Sequence, residues 1–117
     1  MVTDSGRFRY DATNARTFRL ASYLMEQPID TNALYRNLYA SDYAQLVVRA
    51  KFLLHVQFTE KNVAYVYTTM DKKAEYGVDD FTLSRGMVNS MADMRGVDIW
   101  VNFTESDKGV MCELRSS

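Results

Sequence analysis

Proline is almost missing from this 117-residue chain, occurring only as Pro28. Cysteine occurs once, as Cys112, and histidine once, as His55. One cysteine excludes an internal disulfide, and with it the disulfide-scaffold class. One histidine excludes a metal site of two or three histidines built by a single chain. Five glycines and one proline are too few for a collagen-like or low-complexity chain. Neither charge sign dominates: 14 Lys and Arg stand against 15 Asp and Glu, so the whole chain carries no basic nucleic-acid footprint. No apolar run approaches the ~20 residues that span a bilayer, so no membrane partner is expected. The opening MVTDSGRFRY lacks the apolar core of a signal peptide. With a lone cysteine, that leads to the expectation of a cytoplasmic protein. A phosphate loop, a GxGxxG and a CxxC are also absent.

What is present is an ordinary globular composition, 47% hydrophobic and 25% charged. Asp4-Ser5-Gly6 is a turn signal that follows a short apolar strand at Val2-Thr3. Thr13 or Asn14 caps a helix through Phe18, Ala21, Leu24 and Met25, which ends before Pro28. Asp30 caps a second helix, with Leu34, Tyr35, Leu38 and Tyr39 at helical spacing. Ser41 or Asp42 opens a third. Its stripe of Tyr43, Leu46, Val47, Ala50 and Leu53 is expected to pack on the two helices before it.

From His55 onward the pattern changes. His55–Thr59 and Val63–Thr69 read as a hairpin of strands. A short helix at Asp71–Tyr76 stops at Gly77, and a longer one covers Phe81–Met94. Val97, Ile99, Val101 and Phe103 alternate on one strand face, and Val110, Cys112 and Leu114 on a last strand. The fold class is therefore α/β, a mixed α+β arrangement, with a helical part over 1–54 and a mixed-sheet part over 55–117. The strands at either end look cut from a larger sheet, and an oligomer would be one way to cover their edges.

Several residues carry candidate chemistry, each with a plainer reading beside it. Asp4 follows a strand and precedes a glycine turn, where α/β sheets hold ligands, and carboxylates suit Mg²⁺ or Mn²⁺. The plain reading is a turn-supporting aspartate. His55 reads as a structural histidine at a helix–strand junction, and Cys112 as a packed thiol. Arg7, Arg9, Arg16 and Arg19 could grip phosphate or form a solvated face. Arg115-Ser116 is a second phosphate-friendly group. Tyr65 and Tyr67 could stack on bases or pack an edge. Asn102-Phe103-Thr104 matches a glycosylation sequon and carries nothing without a secretory context.

Taken in order, these segments resemble a stretch of the DHH-family phosphoesterases, in the branch of oligoribonucleases that also dephosphorylate 3′-phosphoadenosine 5′-phosphate (pAp). Val2 to Tyr10 resembles the family's fourth metal motif. Asp30 to Tyr39 is similar to its helix ending in I-Y-x-x-L-Y. Val88-Asn89-Ser90-Met91, Gly96 to Val101 and Phe103-Thr104-Glu105 resemble its C-terminal substrate-binding domain, and Val110 to Ser116 that domain's L-R-S strand. Glu113 stands where the family usually has serine.

The resemblance implies that Asp4 ligates one of two catalytic Mn²⁺ ions, with Mg²⁺ the other candidate. It implies that Arg115, beside Ser116, holds substrate phosphate of a short RNA or nucleotide. It also implies the helical end of a DHH domain over 1–54 and the first half of a substrate domain over 55–117. The family's first metal motifs, its Asp-His-His signature and its glycine-rich G-G-G-H loop have no counterpart. The expectation is therefore a fragment of a phosphoesterase, inactive alone. Alternatives are a non-catalytic α+β interaction module, or a piece of a relative acting on cyclic dinucleotides or polyphosphate. Arg16-Thr17-Phe18 and Ala21 to Leu24 are similar to the cyclic-di-AMP phosphodiesterases.

Overall fold

The computed structural model describes residues 1–117, which divide into two compact units, Met1–Ala40 and Ser41–Ser117.

The first unit holds helices α1 (Ala15–Met25) and α2 (Thr31–Tyr39) behind an N-terminal run of turns. Asn14 caps α1 by accepting from the Arg16 and Thr17 amides, and the Thr17 hydroxyl accepts from the Asn14 amide in return. The Asp30 carboxylate accepts the Ala33 amide at 2.9 Å at the start of α2. Both caps fall where the sequence places them. Val2-Thr3, expected as a strand, lies within the turns instead. A strand needs a paired neighbour for its backbone groups, and this unit contains none. Neither helix buries a residue, so the apolar faces of Leu24, Leu34, Tyr35 and Leu38 line an open groove of about 860 Å³.

The second unit begins with α3 (Tyr43–Leu53) and continues through a short β1 (Gln57–Phe58), β2 (Ala64–Thr68) and α4 (Met70–Tyr76). A π-helical turn at Thr82–Gly86 and a 3-10 turn at Asn89–Met91 follow, then β3 (Ile99–Ser106) and β4 (Gly109–Ser116). The sheet order is β1-β2-β3-β4. Only the central pair β2–β3 is parallel; the outer pairs are antiparallel. A parallel pair needs a long crossover, here supplied by α4 and the π-helical segment. Gly77 ends α4 at φ 64°, a left-handed backbone that glycine adopts without a Cβ penalty. Asp79 accepts from the amide and hydroxyl of Thr82, and these bonds hold its carboxyl below the ordinary carboxylate range.

The core of this unit is Val48, Phe52, Ala64, Val66, Leu83, Val88, Met91 and Trp100, among others. It corrects two expectations. The buried residues of α3 are Val48 and Phe52, not the Tyr43, Leu46, Ala50 stripe, which is exposed. Helix α3 thus packs within the second unit, against the 3-10 turn at Asn89–Met91, with Phe52 its fully buried side chain. The inward face of β3 is Trp100, Asn102 and Thr104, and the expected face of Ile99, Val101 and Phe103 is the other one. On β4, likewise, Val110, Cys112 and Leu114 lie exposed, so Cys112 is not a packed thiol.

Replacing Phe52 with alanine should cost ~3–5 kcal/mol, whereas Leu46→Ala should stay within about 1 kcal/mol. Urea unfolding of the two variants measures the difference, and a larger cost at Leu46 would show that α3 is rotated from its assigned packing.

Candidate functional site

The inward face of the sheet is unusually polar. Asn102 and Thr104 are both fully buried on β3, with Thr68 and Ser84 close to it in burial. A π turn is wider than an α turn and bonds i to i+5. The Asn102 amide nitrogen ties this turn to the sheet by donating to Leu83 O and Ser84 O, each at 2.8 Å. That clamp fixes the π-helical turn to the middle of β3. The Asn102 carbonyl, the Thr104 hydroxyl and the Trp100 indole N–H remain buried without a partner.

Across from these residues, β4 sets Arg115 opposite Trp100 and Glu113 opposite Asn102. Two residues apart on a strand, Glu113 and Arg115 share a face. Their side chains pair, Nη2 to Oε2, at 2.9 Å. The guanidinium also donates from Nη1 to Leu114 O at 2.8 Å. Both side chains are about a third exposed or less, 34% for Arg115 and 27% for Glu113, so the pair lies at the border of the buried polar face. Ser116, opposite Ile99, is exposed. Arg115 and Ser116 are neighbours on β4, and alternation of the strand sends their side chains to opposite faces.

Asp4 lies in the other unit, in the N-terminal turns. Its carboxylate is almost fully exposed and 3.7 Å from the amino group of Met1. The turn signal read there is real. Ser5 accepts from the Phe8 amide through its hydroxyl, and Gly6, Arg7 and Phe8 all take left-handed φ values of 55–64°. At Gly6 an added Cβ would also press on the ring of the exposed Tyr10, which would have to move aside. No three of the histidine, cysteine, aspartate and glutamate side chains come together in this chain to hold a metal ion. Asp4 is therefore one carboxylate, and the residues present do not by themselves fit a two-metal centre.

The other candidates lie apart from this pair. His55 follows α3, with Nδ1 2.7 Å from Lys51 O and 3.3 Å from the Tyr76 hydroxyl, and Nε2 2.5 Å from Lys72 Nζ. Arg16 and Arg19 are exposed on α1. Tyr65 and Tyr67 stand on the open sheet face; the hydroxyl of Tyr65 donates to Gln57 and that of Tyr67 to Glu105. The Glu105 carboxylate holds the Tyr67 hydroxyl above the ordinary phenol range and also accepts the Met70 amide at 2.8 Å, tying β3 to the start of α4. Sequence reasoning missed Asn102 as a clamp. The signal was there: a lone amide in the middle of the apolar strand Trp100-Val101-Asn102-Phe103.

With this geometry in hand, comparison with known proteins is informative. The chain is 25% identical over 116 residues to the bifunctional oligoribonuclease and PAP phosphatase NrnA of Bacillus subtilis, covering 99% of this chain and 37% of that protein. It is 26% identical over 109 residues to a probable bifunctional oligoribonuclease and PAP phosphatase NrnA of Streptococcus mutans, 93% of this chain and 35% of that one. A crystal structure of an exopolyphosphatase-related protein from Bacteroides fragilis superposes with a TM-score of 0.85 at 22% identity, over 100% of this chain and 35% of that one, which establishes the shared fold. No protein-family model matches the chain. These likenesses are in line with the resemblance of its motifs to a stretch of the DHH-family phosphoesterases. Two of the relatives carry oligoribonuclease and PAP phosphatase names, and the chain spans just over a third of their length.

Asn102→Leu should expose the cost of the clamp. Two buried carbonyls would lose their donor, for a loss of ~2–4 kcal/mol. Hydrogen exchange at the β2, β3 and 82–91 amides measures it; protection in the 82–91 segment equal to that of the unsubstituted chain would contradict the clamp.

Proposed function

We propose that this chain contributes substrate-holding and metal-binding residues to a metal-dependent phosphoesterase acting on short oligoribonucleotides, on pAp, or on both. The observation that carries the reading is Arg115, half-buried on the border of a polar sheet face, in a strand that resembles the family's phosphate-holding L-R-S strand. Guanidinium groups recognise phosphate oxygens through paired N–H donors, and three of the five donors of Arg115 take no part in its two contacts. Ser116, its neighbour on β4, faces the other way and takes no part in this contact.

Asp4 is proposed as one carboxylate ligand to Mn²⁺ or Mg²⁺, with the other ligands supplied from outside these 117 residues. Such ions, when bound, polarise a phosphoryl oxygen and lower the pKa of a bound water. The work of this chain's own residues is simpler: Arg115 holds and orients a phosphate, and the clamp through Asn102 keeps the strand beneath it rigid. A cytoplasmic setting suits nucleotide substrates of this kind. No helix is long and apolar enough to cross a membrane.

In the 117-residue chain, Arg115→Ala should weaken pAp binding about tenfold, read by amide chemical-shift titration. Mn²⁺ should bring no hydrolysis of pAp above a protein-free blank, because one carboxylate does not fix two ions. Unchanged pAp affinity in Arg115→Ala would contradict the phosphate contact. Turnover lost on Asp4→Asn would contradict the single-ligand role.

A further inference from the structure

The guanidinium that would hold phosphate already has a carboxylate on it. Glu113 Oε2 lies 2.9 Å from Arg115 Nη2, on the same face of β4. This guanidinium is the ion-pair partner of the Glu113 carboxylate. The side-chain amide of its cross-strand neighbour Asn102 gives the carboxylate no donor, since that nitrogen is spent on Leu83 O and Ser84 O. Unlike a serine, a glutamate here adds a negative charge within a few ångströms of any anion that Arg115 receives.

The consequence depends on the charge of that anion. A phosphodiester linkage carries one negative charge, and a terminal phosphate monoester carries about two above its second ionisation near 6. The Arg115–Glu113 pair is neutral as a unit. A diester can share the guanidinium with Glu113 at modest repulsion. A monoester brings twice the charge to the same carboxylate, at a site that is only about a third exposed and therefore incompletely screened.

We propose that Glu113 is a specificity-determining residue that biases the Arg115 site toward internal phosphodiesters of an oligonucleotide and against terminal phosphate monoesters. The inference rests on the reading of Arg115 as a phosphate contact, and the test separates the two.

Binding of the dinucleotide ApA, a monoanionic diester, and of AMP, a dianion at pH about 8, is measured by amide chemical-shift titration of the 117-residue chain and of its Glu113→Gln, Glu113→Ser and Arg115→Ala variants. The glutamine keeps the shape of Glu113 and its capacity to bond Arg115, and the serine also removes its bulk. Both substitutions should tighten AMP about tenfold and ApA by no more than about threefold, the difference being one unit charge near one carboxylate. Arg115→Ala should weaken both ligands. If Arg115→Ala weakens both while Glu113→Gln and Glu113→Ser change AMP and ApA by the same factor, the role of Glu113 is overturned and the phosphate contact stands. If Arg115→Ala changes neither ligand, or the unsubstituted chain binds neither, the phosphate reading itself is overturned, and this inference with it.

Discussion

Two hydrogen bonds from one amide hold the second unit in register. The Asn102 nitrogen donates to Leu83 O and Ser84 O, and so joins the π-helical turn to the central strand of the sheet. Without it, two carbonyls in the crossover between the parallel strands β2 and β3 would lose a buried donor, each a cost of ~1–3 kcal/mol. The apolar core of Phe52, Val66, Leu83, Val88 and Met91 closes around that attachment. The polar face that carries Glu113 and Arg115 is the lateral continuation of the same row of residues.

The two units differ in how they are stabilised. The second has a buried core and a four-stranded sheet. The first has well-formed helix caps and no buried residue in either helix. Short helices are marginal in water without a packed apolar face. The exposed Leu24, Leu34 and Tyr35 are thus side chains whose hydrophobic contribution is unrealised within Met1–Ala40. Asp4 sits in this less-buried unit, which fits its standing as a single carboxylate.

Much of this architecture was legible in the residues. Asn14, Asp30 and Gly77 mark helix ends through local hydrogen bonds and a left-handed turn, and local signals of that kind survive into the fold. Facing was harder to read. Ile99, Val101 and Phe103 alternate as a core face should, yet the core side of β3 is Trp100, Asn102 and Thr104, where Asn102 bonds the π turn, a contact that a pattern of apolar residues does not reveal. The stripe on α3 misled as well: Tyr43 and Leu46 are apolar but exposed, while Val48 and Phe52 enter the core. At the site, Arg115 and Glu113 were visible as neighbours in sequence. Their pairing depends on strand alternation and on side-chain reach, which only the structure supplies.

The functional account joins the distant likeness to oligoribonuclease and PAP phosphatase proteins with one half-buried arginine on a polar sheet face. Its central claim is about place: a phosphate-bearing nucleotide should sit at the Glu113–Arg115 border of the inward face. The opposite face, with Tyr67 and Phe103 at a ring separation of 6.2 Å, is the one where bases could otherwise stack. Intermolecular nuclear Overhauser effects in the complex of this chain with ApA decide between them. The account predicts contacts from the nucleotide to the Arg115 side chain and none to the rings of Tyr67 and Phe103; contacts to those rings, with Arg115 silent, would contradict it.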